Sequence, residues 1–202
     1  MSRTRQTNNY CLLVRGKPCS GKSTTVKALT TIHKDFDLLD PDKIDTETKE
    51  YSEFLPRNTK NPTENVKMYC FLYDVAETRL KKEQNIIWTQ PWSRMSEIEL
   101  TIRNFGYHLT DMKGEVWPST TDRIIDKLPF KFLVAELYVG NKTSTKRWKE
   151  RNIDNPSEFE RLIKTQKLFQ PFSLPVPYIK LDGTDDVKTN ADKLIKFCNS
   201  GT

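Results

Sequence analysis

The segment Gly16-Lys17-Pro18-Cys19-Ser20-Gly21-Lys22-Ser23 constrains the fold more than any other stretch of this chain. It satisfies the pattern GxxxxGK[ST] and follows directly on the apolar run Tyr10-Cys11-Leu12-Leu13-Val14. A glycine-bracketed turn between a strand and a helix lets successive backbone amides converge on phosphate oxygens, with the positive end of the helix dipole behind them. In such a loop Lys22 reaches the β- and γ-phosphates and the Ser23 hydroxyl takes a place on Mg²⁺. The candidate nucleotide-binding residues are therefore Gly16, Lys17, Pro18, Cys19, Ser20, Gly21, Lys22, Ser23 and Thr24. Cys19 is a small residue that fits the turn, and the amides and Lys22 beside it favour its thiolate.

The rest of the chain alternates short apolar runs with longer helical periods. Strands are expected over Tyr10–Val14, Phe36–Leu39, Asn85–Thr89, Phe132–Val139 and Tyr178–Leu181. Between them, Val26, Leu29 and Ile32 share one helical face, and Val66, Tyr69, Tyr73, Ala76 and Leu80 share another. Ser93 is placed to cap a helix carrying Ile98, Ile102 and Phe105, and Ser119 with Asp122 fits a capping box before Ile124. Two further helices carry Phe159, Leu162, Ile163 and Phe169, and Val187, Ala191, Leu194, Ile195 and Cys198. Strand–helix alternation predicts an α/β fold with a central five-stranded parallel sheet, helices on both faces and a small helical lid around residues 141–170. Ligands of such sheets bind at the carboxyl ends of the strands. One domain over residues 10–202 is expected, preceded by a basic tail over residues 1–9.

Charge placement matters more than charge total. The net charge is +6, yet residues 1–34 hold seven bases and no acid, which leaves 26 bases against 27 acids elsewhere. The excess surrounds the loop. Four cysteines without a CxxC pair, and only two histidines, argue against zinc, a disulfide framework or any metal beyond Mg²⁺. No apolar run approaches the roughly 20 residues of a membrane span. A cytoplasmic setting without membrane attachment is the expectation.

Three classes of phosphate-loop protein are open: a kinase, a guanine-nucleotide switch and a motor ATPase. A switch reads its base with [NT]KxD, whereas Asn141-Lys142-Thr143-Ser144 ends in serine. A motor shows a strand ending in adjacent acids, whereas Ile86-Ile87-Trp88-Thr89-Gln90 ends in neutral residues. The second strand runs into Asp40-Pro41-Asp42-Lys43-Ile44, which puts two carboxylates at a carboxyl end beside the loop. A kinase needs one there to accept the proton of the attacking hydroxyl, and a second can order the water shell of Mg²⁺. Capping of a turn by either aspartate is the plainer use. Asp42 is the candidate base, and Asp40 with Ser23 the candidate metal pair. Arg147 and Arg151, four residues apart, share a helical face suited to a transferring phosphoryl group.

The order of phosphate loop, Asp-Pro-Asp-Lys-Ile and Lys146-Arg147-Trp148-Lys149-Glu150-Arg151 resembles the small kinases related to polynucleotide 5′-hydroxyl kinase and zeta toxin. The resemblance spans approximately residues 10–197 and implies Asp42 as general base and Arg151 as the lid arginine on the nucleotide phosphates, with Arg147 at the preceding basic position. Leu174-Pro175-Val176-Pro177-Tyr178 and Leu181-Asp182-Gly183-Thr184 are similar to the family's closing segment, near where adenine is held. The chain has Thr89 or Gln90 where those kinases place an aspartate after strand three, and Asp45 where they carry a substrate-orienting arginine. Gln90 and Arg94 are the available stand-ins, and Trp88 and Trp92 are the aromatic rings able either to stack on a base or sugar or to fill the core. The expected function is Mg²⁺-dependent transfer of the ATP γ-phosphoryl group to a hydroxyl, a nucleic-acid 5′ end first and a nucleotide sugar or other small molecule second. The alternative is a non-catalytic module whose lid closes on ATP for a protein or RNA partner.

Overall fold

Five short apolar runs, each bounded by charged or turn residues, form the strands of one sheet in the computed structural model, which describes residues 9–56, 62–110, 121–151 and 156–200. They are β1 (Tyr10–Arg15), β2 (Phe36–Leu39), β3 (Asn85–Thr89), β4 (Lys131–Tyr138) and β5 (Tyr178–Asp182). The order across the sheet is β2-β3-β1-β4-β5, with every neighbouring pair parallel. A parallel sheet is covered on both faces, and the burial of all six β1 residues shows that here. The basic tail and Ser119 lie outside the described residues.

The helices are α1 (Lys22–Ile32), α2 (Lys49–Ser52), α3 (Glu64–Lys81), α4 (Met95–Leu109), α5 (Thr121–Ile125), α6 (Asn141–Glu150), α7 (Pro156–Leu168) and α8 (Val187–Ser200). Alternate residues of β1 point to opposite faces. Leu12 and Val14 meet Val26 and Leu29 of α1 and Leu194 of α8 on one side. Cys11 and Leu13 meet Leu72, Ala76, Ile98 and Phe105 of α3 and α4 on the other. Trp88 and Trp92 belong to this second core, 0% and 2% exposed and edge-to-face at 5.3 Å, so neither ring is open to a base or sugar.

Two helical faces differ from their periodicity. Ile32 is exposed at the end of α1, and Val66 and Tyr69 are exposed in the first turns of α3. Ser93 does not cap α4: Arg94 holds the N-cap position, with the Glu97 carboxylate accepting the Arg94 N–H, while the Ser93 carbonyl accepts from Gln170. Among the described residues, no helix is long and apolar enough to cross a membrane.

At the end of β1 the chain buries a charge. Arg15 is fully buried, pairs with Glu136 of β4 at 3.5 Å and donates to the Gln170 carbonyl at 2.6 Å. Its guanidinium also lies 4.3 Å from the centre of the Phe169 ring. Gln170 in turn accepts from the Met95 N–H at 2.8 Å. This network ties the chain leaving α7 to the strand that launches the phosphate loop.

Candidate active site

The loop between β1 and α1 turns on residues that can take unusual dihedrals. Gly21 is the N-cap of α1 at φ 96°, and Cys19 takes φ 60°, a left-handed conformation uncommon for a residue with a Cβ. Gly16 is held by proximity, since a Cβ there would sit 2.5 Å from the Leu137 carbonyl oxygen. The first amides of α1 have no intrahelical acceptor, so they are available to an anion at the helix's positive end. Lys22 folds back over this loop, with Nζ donating to the carbonyls of Gly16 at 2.8 Å and Lys17 at 3.0 Å. Burial pushes its pKa down from 10.5 to about 8, opposed by Cys19, Asp42 and Asp40 and assisted by Arg151.

A cleft of about 260 Å³ opens above this loop. Its donor side is Pro18, Cys19, Lys22 and Ser23, and Asp40, Pro41 and Asp42 face them from the end of β2. Thr89, Gln90 and Pro91 supply a neutral floor at the end of β3. Trp148 and Arg151 close the α6 end, while Tyr69 of α3 and Arg161, Leu162 and Thr165 of α7 close the remaining wall. Lys22, Ser23, Asp40, Asp42 and Arg151 thus meet in one concavity, although β2 and β1 are not neighbours in the sheet.

The two aspartates are not equivalent. Asp40 caps the 3₁₀ turn Pro41–Lys43, its Oδ1 accepting the Asp42 N–H at 3.2 Å, and its other oxygen lies 3.6 Å from Lys43 Nζ. Asp42 is exposed at the cleft wall. Asp45 lines a separate cavity of about 320 Å³ with Ile44, Phe71 and Arg79, on the outer side of β2.

For Mg²⁺, the donor set is one hydroxyl, Ser23, with two carboxylates across the cleft. Among the described residues no three His, Cys, Asp or Glu side chains gather closely enough to hold a metal unaided. A hard cation that keeps much of its water and shares phosphate oxygens fits such a sparse oxygen set.

The lid arginines part company. Arg147 does not line the cleft: its Nη1 donates to the Gly183 carbonyl at 2.9 Å and approaches the Cys19 carbonyl at 3.4 Å. Gly183 permits this closeness, because a Cβ there would meet the Ser20 carbonyl oxygen at 2.2 Å. Arg151 caps the end of α6 and faces the cleft. Arg94 is exposed and lies outside the cleft lining.

The lid is docked on the loop. Buried Ser144 donates from Oγ to the Pro18 carbonyl at 2.7 Å, and Gln166 Nε2 donates to Ser144 Oγ at 3.0 Å. Lys17 Nζ donates to Asn141 Oδ1 at 2.6 Å, and Trp148 packs on Phe159 at 5.0 Å between ring centres. These contacts carry α7, and with it Arg161, to the cleft wall. Sequence reasoning missed Tyr69, Arg161 and Thr165, which belong to no motif. The one signal in the sequence is the i, i+4 spacing of Arg161 and Thr165 on α7.

Residues 12–111 match the family model described as an AAA domain. A search of curated protein sequences found no match. Among solved structures the chain is similar to a candidate kinase from Chloroflexus aurantiacus, with 18% identity and a TM-score of 0.61 over 97% of this chain and 99% of that one. It is similar to a fungal RNA kinase, with 11% identity and a TM-score of 0.60 over 96% and 94% of the two chains. A gluconokinase from Sinorhizobium meliloti shares 12% identity and a TM-score of 0.54 over 97% and 94%. The RNA kinase and the gluconokinase act on different acceptors, and at such identities the likeness is one of fold. The chain therefore has the α/β fold of the P-loop kinase-like domains, built on a five-stranded parallel sheet.

Proposed function

We propose that the protein transfers the γ-phosphoryl group of ATP to a hydroxyl. The observation that carries this reading is the convergence of Lys22, Ser23, Asp42 and Arg151 on one cleft. Lys22 and the first amides of α1 hold the donor phosphates. Ser23, with Asp40 ordering its water shell, would hold Mg²⁺, which would supply charge neutralisation to the phosphates. Asp42 removes the proton of the acceptor hydroxyl. The acceptor oxygen forms its bond to the γ-phosphorus as the bond from that phosphorus to the bridging oxygen breaks, and ADP departs. Arg151 balances the charge that spreads over the transferring group, which is most of what such catalysis requires. Arg147, bound to the Cys19 and Gly183 carbonyls, fixes the loop against the segment after β5 and acts by positioning.

The favoured acceptor is the 5′-hydroxyl end of a nucleic acid. The cleft of about 260 Å³ gathers the reacting groups named above. Outside it, Lys142, Lys146 and Lys149 of α6 and Lys164 and Lys167 of α7 are exposed and suit a polyanion. A nucleotide sugar is the second reading. Incubation with γ-labelled ATP and a 5′-hydroxyl oligonucleotide, a nucleotide sugar or no acceptor tests the proposal. Label in an acceptor, lost in Lys22→Ala, is the expected result. ATP binding without transfer to any hydroxyl would favour the non-catalytic module.

A further inference from the structure

The floor of the cleft carries hydrogen-bonding capacity that the protein itself does not use. Thr89 is 3% exposed and Gln90 is half-buried, and both Thr89 Oγ1 and Gln90 Oε1 are buried without a hydrogen-bond partner. Among the described residues, these are the only buried side-chain oxygens in that condition that line the cleft. Native proteins pair nearly all such atoms, and one left unpaired points to a partner that arrives with a ligand. The backbone is strained at the same place. Trp92, two residues beyond Gln90, takes φ 45°, a left-handed conformation that a bulky residue rarely adopts and that gathers at functional sites.

The position of the floor says which ligand passes over it. Strand β3 lies between β2 and β1, with Trp88 in register with Leu39 and Thr89 with Val14. The Gln90 N–H donates to the Val14 carbonyl at 3.4 Å, and the Gly16 N–H donates to the Pro91 carbonyl at 3.3 Å. The floor is thus fastened to the start of the phosphate loop on one side and faces Asp40 and Asp42 on the other. An acceptor that reaches from Asp42 to a phosphoryl group on the loop crosses Thr89 and Gln90. An amide oxygen accepts and never donates, so the phosphate oxygens of the nucleotide leave Oε1 unpaired. The group that satisfies it is an O–H or N–H of the acceptor.

We infer that Gln90 binds a second hydroxyl of the acceptor, its Oε1 accepting that O–H while Asp42 faces the hydroxyl that reacts. The torsions of the half-exposed glutamine turn Oε1 towards the ligand, and Thr89 Oγ1 lies beside it on the floor. The acceptor is then a polyhydroxylated molecule, a ribose end or a sugar, and not an isolated alcohol. This inference rests on the phosphotransfer reading for the reacting hydroxyl but not for its binding step.

Two matched pairs separate the sources of the second hydroxyl. One is a pair of 5′-hydroxyl DNA oligonucleotides that differ only in a 2′-hydroxyl on the 5′-terminal sugar. The other is UDP-glucose against UDP-2-deoxyglucose. Each probe is offered to the wild type, Gln90→Leu and Gln90→Asn. Transfer is followed by ADP release, and binding by calorimetry on protein loaded with Mg²⁺ and a non-hydrolysable ATP analogue. Within at least one pair, the wild type should prefer the hydroxylated member by about 10-fold or more in kcat/KM, the worth of one hydrogen bond to an otherwise unpaired buried group. Gln90→Leu should bring the preference to near unity with its Mg²⁺ requirement unchanged, and Gln90→Asn should keep part of it. In the free protein, Gln90→Leu and Thr89→Val should hold or raise the urea midpoint, because each removes an unpaired buried oxygen.

Equal use of both members of both pairs, or a preference that survives Gln90→Leu, would overturn the inference. So would a lowered urea midpoint in Gln90→Leu, which would make the side chain structural. A raised Mg²⁺ requirement with the preference intact would overturn it too, giving the floor to the water shell of the metal. If no probe is phosphorylated, the binding arm decides. Tighter binding of a hydroxylated member that depends on Gln90 would uphold the subsite and sink the phosphotransfer reading. Equal binding of both members, or binding of neither, would sink the subsite.

Discussion

Lys22 is the residue whose chemistry is most exposed to measurement, because burial pushes its pKa down to about 8. The unfolded chain keeps its ammonium to about 10.4, so between those values the unfolded state binds more protons and folding gains stability as pH rises. Nucleotide phosphates act in the opposite sense, stabilising the ammonium and raising its pKa. Binding of Mg²⁺ and ATP at pH 8.5 should therefore take up a fraction of a proton, measured by calorimetry in buffers of different ionisation enthalpy. Affinity should weaken as pH climbs past 8. Lys22→Ala should abolish the uptake and lower turnover by about 10²-fold or more, as expected when a preorganised charge is removed. Unaltered turnover in that variant would overturn the phosphate-loop assignment. Asp42→Asn should keep nucleotide affinity and lose about 10²–10⁴-fold in turnover, the usual cost of a missing general base. Asp40 already caps the 3₁₀ turn, so Asp40→Asn keeps the cap and should raise the Mg²⁺ requirement instead. An inactive Asp40→Asn beside an active Asp42→Asn would reverse the two roles.

At the scale of elements, α6 decides between its two arginines by where it stops. Spacing of four puts Arg147 and Arg151 on one face of an unbroken helix, yet α6 ends at Glu150 and Arg151 is its C-cap. The face is broken there, so Arg147 tucks under Gly183 while Arg151 meets the cleft. Arg151→Ala should lower kcat by up to about 10³-fold with little change in nucleotide affinity, in line with arginines that act on the transferring group. A rise in KM alone, at constant kcat, would make Arg151 a ground-state contact. The strands β2 and β3 were legible to the residue, since each is an apolar run closed by a charge or a turn. Strand β1 was read one residue short, because an arginine marks a boundary unless a partner neutralises it, and Glu136 lies across the sheet. The placement of the loop after β1 and of Asp42 after β2 was legible because both lie in short segments of fixed local spacing. Tyr69 and Arg161 were not, because only the docking of α7 through Gln166 and Ser144 brings them to the cleft. Trp92 was ambiguous for a related reason: a ring beside a strand end looks available until the opposing helices cover it.

At the scale of the whole molecule, a buried ion pair within the sheet holds Arg15, which reaches the end of the lid at the Gln170 carbonyl, and a basic surface faces outward. Glu136→Gln would leave Arg15 buried without its counter-charge, against the Gln170 carbonyl and the Phe169 ring. Breaking a buried pair on one side costs about 3–5 kcal/mol, which a urea midpoint should register with an unchanged m-value. A change below 1 kcal/mol would mean that water already reaches the pair. The outward surface bears on the acceptor. The exposed lysines of α6 and α7, Lys142, Lys146, Lys149, Lys164 and Lys167, stand outside the cleft and outnumber the charges that Mg²⁺ and ATP would neutralise. A polyanion that meets several of them releases counterions, and its apparent affinity falls steeply with salt. A 5′-hydroxyl oligonucleotide should therefore show a KM that rises several-fold between 50 and 200 mM salt, with about 10-fold or more expected if two or three phosphates are engaged. A mononucleotide acceptor, which carries a single phosphate, should show a shallow dependence, and so should Mg²⁺ and ATP, whose phosphates the loop holds. Double replacement of Lys164 and Lys167 by Gln should flatten the oligonucleotide slope without moving the mononucleotide KM. Equal slopes for both acceptors would confine recognition to the cleft and leave the basic face without a part in it.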